Sequence, residues 1–195
     1  MPYPSKLDPA AIASVGLQVV EDVGWHGWSL REVAGRLDVA PNALYRHVAD
    51  REGLALAIGA AAAGEVRAVI ADAEGDDPVD RLVDMAERYL RFAAERPDAY
   101  EAFVRGKPDR TLHDITPWDE CWVIVVEAVA AAVPEAAEAC GFALWSSLHG
   151  RADLTRGPAV TVDARWGIEA AVRALVAGFR DAGPLPSPLE PPPGG

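Results

Sequence analysis

Cysteine is scarce in this 195-residue sequence, which contains only Cys121 and Cys140. Two cysteines are too few for the disulfide scaffold of a small secreted domain. We expect both to be free buried thiols, with a redox sensor as the alternative. Residues 1–5 lack the positive segment and apolar run of a signal peptide, so we expect a cytoplasmic protein.

Long hydrophobic runs are also missing, although 50% of the residues are hydrophobic. The apolar stretches 55–63 and 123–133 are too short to span a membrane, and we expect both to be core helices. The sequence therefore predicts no membrane partner. Its length and apolar content allow one large domain or two small ones.

Residue patterns that bind metals or carry catalysis are absent. No two histidines lie four residues apart, so we predict neither a metal site nor a cofactor. The sequence has no nucleophile elbow and no phosphate-binding loop, so we expect no enzyme. The enzyme alternative would depend on Cys121 with His113 and His149, or on His149 with Asp153.

The segment from Ser29 to Leu54 carries the most information and predicts two short helices, a tight turn between them, and the start of a third helix. Ser29 and Glu32 form an S-x-x-E capping box, and Trp28 and Val33 are placed for a hydrophobic staple. A helix should therefore start at Ser29 and end near residue 37. Its apolar stripe consists of Leu30, Val33, Ala34 and Leu37.

The turn and the second short helix follow from the next residues. Asp38 stands where the chain must turn sharply, and aspartate tolerates a left-handed backbone better than most residues. Pro41 suits the first position of a helix, and Leu44 and Val48 should point inward. Asp50 should cap the following helix. The side chains left outward are Asn42, Ala43, Tyr45, Arg46 and His47.

This layout is typical of a helix-turn-helix that places a recognition helix in the DNA major groove. The segment resembles the DNA-binding module of the TetR family of bacterial transcriptional regulators. The resemblance implies that four residues hold the DNA backbone, namely Ser29, Tyr45, His47 and Arg51. It also implies that Pro41, Asn42, Ala43 and Arg46 face base edges and that Arg31 reaches the groove. Arginine pairs well with guanine, and asparagine with adenine.

Two positions depart from the family pattern. The family usually has glycine where Asp38 stands, which predicts some strain in the turn. Many members also begin with a basic arm that enters the minor groove, whereas residues 1–9 here offer only Lys6. The function of that arm is therefore replaced or absent.

Net charge argues against a general affinity for DNA, because the chain carries −12 at pH 7. Residues 29–51, however, hold four basic and three acidic side chains, a net +1, so the rest of the chain carries −13. The acidity lies outside the proposed DNA-binding segment and should make binding depend on specific contacts.

The remaining sequence predicts helices only, and hence an all-α fold. We expect helices from about residue 8 to 24, 50 to 73, from 77, from 97, from 116, 134 to 155 and 163 to 180, with a loop at 105–115. Their expected inward positions include Val23, Phe142 and Trp166. The proposed domains are a helix-turn-helix domain at 1–55, an effector-binding and dimerisation domain at 56–182, and a proline-rich disordered tail at 183–195.

The resemblance further implies a body that binds a small molecule and dimerises through its last two long helices. The stretch Leu144–Gly150 resembles the W…HG signature of one TetR subgroup. Aromatic and apolar side chains are the candidates for a hydrophobic or aromatic effector, although each could equally fill the core. They are Met85, Tyr89, Phe92, Phe103, Trp118, Trp122, Trp145 and His149.

The expected function is therefore a homodimeric repressor on double-stranded DNA, released from a palindromic operator by a small-molecule effector. The alternative is a helical small-molecule-binding or enzyme-like protein whose N-terminal head mediates protein contacts.

Overall fold

A computed structural model describes residues 7–107, 116–156 and 160–184, and within these ranges the chain forms helices and no strand. The all-α prediction is confirmed. The helices are α1 (Pro9–Val23), α2 (Leu30–Arg36), α3 (Pro41–Leu44), α4 (Arg51–Ala71), α5 (Pro78–Glu95), α6 (Pro97–Arg105), α7 (Pro117–Ala132), α8 (Ala137–Arg156) and α9 (Ile168–Ala182). A 3₁₀ turn at Pro134–Ala136 precedes α8.

Helix ends follow the capping chemistry of the sequence. The Asp8 carboxylate accepts a hydrogen bond from the Ala10 N–H at 3.2 Å, and Gly24 ends α1 with a φ of +78°. At α7, the Thr116 N–H donates to Asp119 Oδ2 at 2.8 Å. These bonds satisfy backbone groups that the helix itself leaves unpaired. The predicted starts of α1 and α7 are confirmed.

Two compact units divide the described residues. The first takes in the chain up to Val69 and again from Phe92 to Cys121, and the second takes in Ile70 to Arg91 and the chain from Trp122 onward. In the first unit α1 packs against α2 and α6, and in the second α8 packs against α9. The predicted division at residues 55 and 182 stays a prediction.

Gly16 lies against the side chain of Ile58 in the first unit. A Cβ atom at position 16 would lie 2.6 Å from Ile58 Cγ1, so a larger residue there would force the Ile58 side chain to shift. Ile12, Leu54 and Ile58 are fully buried in this unit. Burial of such a side chain contributes about 1.5–3 kcal/mol.

Helix α9 begins five residues later than predicted, at Ile168 rather than Asp163. Residues 164–167 form a turn that ends at Gly167, whose φ is +69°. The Arg151 guanidinium donates to the carbonyl oxygens of Ala164 and Trp166 at 3.2 and 3.0 Å and fixes this turn. Trp166 consequently lies outside the helix and is 75% exposed, so its predicted inward position is wrong.

Two other inward predictions are wrong. Phe142 is 67% exposed because the buried face of α8 is formed by Cys140, Leu144 and Leu148, and Phe142 points away from that face. Val23 is 44% exposed at the last position of α1. Both residues fit the apolar spacing of their helices. The packed face of α8 is rotated away from Phe142, and the packed part of α1 ends before Val23.

Helix α4 is long and apolar enough to cross a membrane by length and composition alone, with 21 residues and a mean hydropathy of 1.7. Glu65 and Arg67 interrupt its apolar run, so the helix does not contradict the expectation that no uninterrupted apolar stretch reaches that length. The core helix of a soluble protein meets the same criterion, and Leu54, Ile58 and Ala62 of α4 are fully buried.

Both cysteines are free and buried, as predicted. Burial raises the pKa of the Cys121 thiol to about 12 and raises the pKa of Cys140 as well. With their pKa values raised, both thiols are protonated at neutral pH. Because the thiolate is the reactive form, both side chains are then poorly reactive. This chemistry disfavours the redox-sensor alternative.

Asp38 has a φ of +54°, the left-handed conformation predicted for this turn. A Cβ atom is strained there, so we expect Asp38→Gly to raise the free energy of unfolding by about 0.5–1 kcal/mol. Asp38→Ala keeps the Cβ atom and loses the carboxylate, and it should be the less stable of the two. Urea unfolding followed by circular dichroism measures both, and a glycine variant less stable than the alanine variant would contradict the strain.

Candidate nucleic-acid interface

Ser29 fixes the start of α2. Its backbone is extended, with φ −141° and ψ 156°, and its hydroxyl oxygen accepts a hydrogen bond from the Glu32 N–H at 3.2 Å. The same hydroxyl donates to Glu32 Oε2 at 2.9 Å. In the usual capping box the glutamate reaches the backbone N–H of the cap residue instead. The predicted cap is confirmed, and the side chains of Ser29 and Glu32 form a direct hydrogen bond with each other.

The turn between α2 and α3 is closed by backbone hydrogen bonds. The N–H of Asp38 donates to the Gly35 carbonyl at 3.2 Å, and the N–H of Val39 donates to the Ala34 carbonyl at 3.0 Å. Pro41 then occupies the first position of α3, and Leu44 is fully buried. These contacts confirm the helix-turn-helix predicted from the sequence.

Helix α3 is shorter than predicted and ends at Leu44. Tyr45, Arg46 and His47 lie in the turn that follows, where the His47 N–H donates to the Leu44 carbonyl at 2.8 Å. Bonds of this type span three residues, so the backbone continues as a tighter 3₁₀-like turn. The predicted recognition residues are therefore divided between a one-turn helix and the turn after it.

Most of the predicted DNA-contacting residues are exposed to solvent. Seven of the nine predicted DNA-contacting residues are exposed, and Ser29 and Ala43 are half-buried. Arg31, Arg46 and Arg51 form no ion pair with any residue in the described part of the chain, whereas Arg36 pairs with Asp22 at 2.6 Å. Three of the four arginines in the segment thus keep their charge available. The exposed residues are Arg31, Pro41, Asn42, Tyr45, Arg46, His47 and Arg51.

Trp28 holds the side chain of Arg51, a contact that sequence reasoning missed. The guanidinium carbon of Arg51 lies 4.3 Å from the centroid of the Trp28 ring. Trp28 is 2% exposed, and its ring meets that of Trp25 edge-on at 6.0 Å. The capping pattern assigned Trp28 only to a staple, and no short-range spacing links it to residue 51.

Arg96 connects three helices of the first unit, and sequence reasoning missed this residue too. Its guanidinium donates to Glu21 on α1 at 2.8 Å and also pairs with Glu65 on α4, while Arg96 itself caps α6. Burial lowers the pKa of Arg96, but the hydrogen bonds and charges of the two carboxylates raise it by more, so the pKa lies above its ordinary value. No local pattern could reveal partners 75 and 31 residues away.

Three effector candidates form a cluster in the second unit, which we call the aromatic trio: Tyr89, Trp145 and His149. Ring centroids are 5.2 Å apart for Tyr89 and Trp145 and 4.7 Å apart for Trp145 and His149. His149 Nδ1 lies 3.3 Å from the Tyr89 hydroxyl and 3.0 Å from the Trp145 carbonyl oxygen. The trio places polar atoms beside aromatic faces.

The other effector candidates are elsewhere. Phe103 and Trp118 stack in the first unit with centroids 6.4 Å apart, and the Trp118 indole donates to the Phe103 carbonyl at 2.8 Å. Met85 and Phe92 are buried, and Trp122 is half-buried. His113 and Lys6 lie outside the described residues.

A separate open recess in the second unit has a polar lining that contains none of the effector candidates. The Asp84 carboxylate in it accepts from the Glu74 N–H at 2.8 Å and from Arg88 at 2.7 Å. Burial opposes its charge, but these bonds lower the pKa of Asp84. Among the described residues, no cluster of histidine, cysteine and carboxylate side chains could hold a metal ion. The recess is lined by Glu74, Gly75, Asp76, Asp80, Asp84 and Arg88.

Comparison with known proteins identifies the family. Residues 82–179 match the model of the tetracyclin repressor-like C-terminal domain. The chain belongs to the TetR family. The N-terminal helix-turn-helix, which lies outside the matched residues, agrees with this assignment. No curated protein matches the chain significantly.

Solved structures of TetR proteins share the fold at low sequence identity. The transcriptional regulator SCO7222 from Streptomyces coelicolor superposes with a TM-score of 0.71 at 18% identity, over 92% of this chain and 100% of the other. A variant of TetR from Acinetobacter baumannii in complex with minocycline gives 0.68 at 19% identity, over 92% and 100%. The regulator PfmR from Thermus thermophilus gives 0.60 at 20% identity, over 85% and 97%.

Membership of the TetR family supports a DNA-binding transcriptional regulator. Regulators of this family are soluble cytoplasmic proteins and generally are not enzymes. The W…HG subgroup stays a prediction.

Proposed function

We propose that this chain is a sequence-specific repressor that binds a palindromic operator as a homodimer and leaves it when a small molecule binds. The observation that carries the proposal is the set of three arginines without an ion-pair partner among the described residues, on the exposed side of a helix-turn-helix. An arginine without a protein carboxylate keeps its donors free for DNA.

The nine candidate DNA-contacting residues divide into two roles. Ser29, Tyr45, His47 and Arg51 hold phosphates and position the protein. Base edges are read by Arg31, Asn42 and Arg46, supported by close contact from Pro41 and Ala43. The acidic remainder of the chain repels the DNA backbone, so the specific contacts supply a large share of the affinity.

Dimerisation uses α8 and α9. A single recognition segment covers few base pairs, and two copies about 34–36 Å apart read successive turns of a palindrome. On α8 the large apolar side chains Phe142 and Leu154 are 67% and 64% exposed. The exposed positions on α9 include small residues that allow close approach of a second helix. They are Ala170, Ala174, Ala177 and Gly178.

The aromatic trio binds a hydrophobic or aromatic effector. Trp145 is half-buried and offers stacking surface, Tyr89 is fully buried beside it, and the polar atoms at His149 can orient a ligand that has a polar group. Binding releases DNA by favouring a conformation in which the two DNA-binding heads are wrongly spaced for successive major grooves. The effector can shift the equilibrium only by the difference in its affinity for the two conformations.

This proposal assigns residues 1–55 to DNA binding and residues 56–182 to effector binding and dimerisation, in a cytoplasmic protein without catalytic activity. The rival function, protein contacts through the head, would leave Arg46 free of any role in DNA binding.

Arg46→Ala tests base reading. We expect affinity for a duplex selected from random sequences by the wild-type protein to fall about 5- to 150-fold, because one bidentate base contact is lost. Arg91→Ala removes the same charge from an exposed site in the second unit and should change affinity less than about two-fold. Fluorescence anisotropy at physiological salt measures both, and equal affinities for all three proteins would refute the assignment.

Phe142→Glu tests the dimer. A charge on the proposed interface should convert the dimer to a monomer and weaken operator binding, because burial of an unpaired carboxylate is unfavourable. Val104→Glu places the same charge on an exposed apolar site of α6 and should leave the dimer intact. Sedimentation velocity reads the mass, and a Phe142→Glu protein that remains dimeric would place the interface elsewhere.

Trp145→Ala tests the effector site. Aromatic compounds that raise the melting temperature of the wild-type protein in a thermal-shift panel should lose about ten-fold or more in affinity for this variant. Trp166→Ala removes an exposed tryptophan outside the trio and should bind them normally. Compounds that stabilise the protein but leave operator occupancy unchanged would contradict the coupling.

A further inference from the structure

We infer that Trp28 is a positioning residue for DNA binding: its indole face holds the Arg51 guanidinium ready for a DNA phosphate. The inference rests on the proposed function, because it needs Arg51 to contact DNA. It is carried by the 4.3 Å contact between the Arg51 guanidinium carbon and the Trp28 ring centroid.

The position of Arg51 is an unfavourable one for a cation. Arg51 is the first residue of α4, where the partial positive charge of the helix N-terminus repels a guanidinium. Asp50, the residue before it, uses its carboxylate to accept a hydrogen bond from the Gly53 N–H at 2.8 Å. In the described part of the chain no carboxylate pairs with Arg51. The electron-rich face of Trp28 is thus the stabilising partner that the structure provides for this charge.

Trp28 is itself held rigidly. Its side chain is 2% exposed, and Trp25 meets its ring edge-on. The Trp28 indole N–H is buried and has no acceptor among the described residues. The position of the ring is therefore set by packing and not by a hydrogen bond. The ring in turn positions the exposed Arg51 guanidinium that lies over it.

The geometry has a direct consequence for DNA binding. A free arginine side chain loses rotamer entropy when it binds a phosphate, whereas a stacked guanidinium has already lost part of it. The guanidinium lies over the ring and has no ion pair among the described residues, so its N–H donors remain available for the bidentate geometry that phosphate prefers. Trp28 also precedes Ser29, the cap residue proposed to contact a phosphate, so one short segment supports two backbone contacts.

Trp28→Leu keeps an apolar side chain and removes the aromatic face. We expect about three- to ten-fold weaker binding to the selected duplex, the range expected for loss of one cation–π contact. Trp28→Phe keeps an aromatic face and eliminates the unpaired indole N–H, so it should retain most of the affinity. Thermal unfolding of both variants verifies that they fold.

The same pair of measurements in an Arg51→Ala background separates positioning from structure. Without Arg51 the Trp28→Leu change should weaken binding less than about two-fold. Arg51→Ala alone should reduce the slope of log affinity against log salt by about one. An undiminished loss in the Arg51→Ala background would show that Trp28 acts only through folding and would overturn the inference.

A measurement without DNA tests the stack itself. Ring current from Trp28 should shift the side-chain protons of Arg51 upfield in the NMR spectrum of the free protein, and Trp28→Leu should abolish the shift. Absence of the shift in the wild-type protein would overturn the inference even if DNA binding is normal. If the shift is present and the wild-type protein selects no duplex, the proposed function fails, and the positioning role in DNA binding fails with it.

Discussion

The orientation of α3 depends on one turn, and the proposed DNA-binding surface depends on that orientation. Asp38 accepts a left-handed backbone, and the Asp38 and Val39 N–H groups return to carbonyls of α2. Pro41 then starts α3 at once, and Leu44 anchors it in the core. With only one turn of regular helix, α3 owes its stability to these neighbours, since a helix this short is unstable by itself.

Arginine occurs in three settings in the first unit, which differ in the partner of the guanidinium. Arg36 and Arg96 are neutralised by carboxylates and join helices, whereas Arg31 and Arg46 have no ion pair in the described residues. Arg51 takes a third form, a charge stacked on a tryptophan. An exposed ion pair contributes little to the free energy of folding by itself. The main consequence of these different partners is therefore which arginines keep a positive charge available for a ligand.

The two aromatic groups differ in chemistry. Phe103 and Trp118 stack in parallel, and the Trp118 indole is satisfied by a backbone carbonyl, as in an ordinary core. The trio of Tyr89, Trp145 and His149 instead gathers a hydroxyl, an imidazole and a carbonyl within 3.3 Å. A hydrogen-bonded polar group among aromatic rings is the more selective environment for a ligand.

Local chemistry in the sequence determined most helix starts, the Ser29 cap, the left-handed Asp38 turn and the family, because each depends on residues only a few positions apart. It could not determine which face of a helix packs. Phe142 and Trp166 fit an apolar spacing but are exposed, since the buried face of α8 and the turn fixed by Arg151 are set by distant partners. The stack of Arg51 on Trp28 and the pairing of Arg96 with Glu21 and Glu65 likewise join residues far apart in the chain. Only the tertiary structure brings such residues together, because no periodicity links positions that meet through packing.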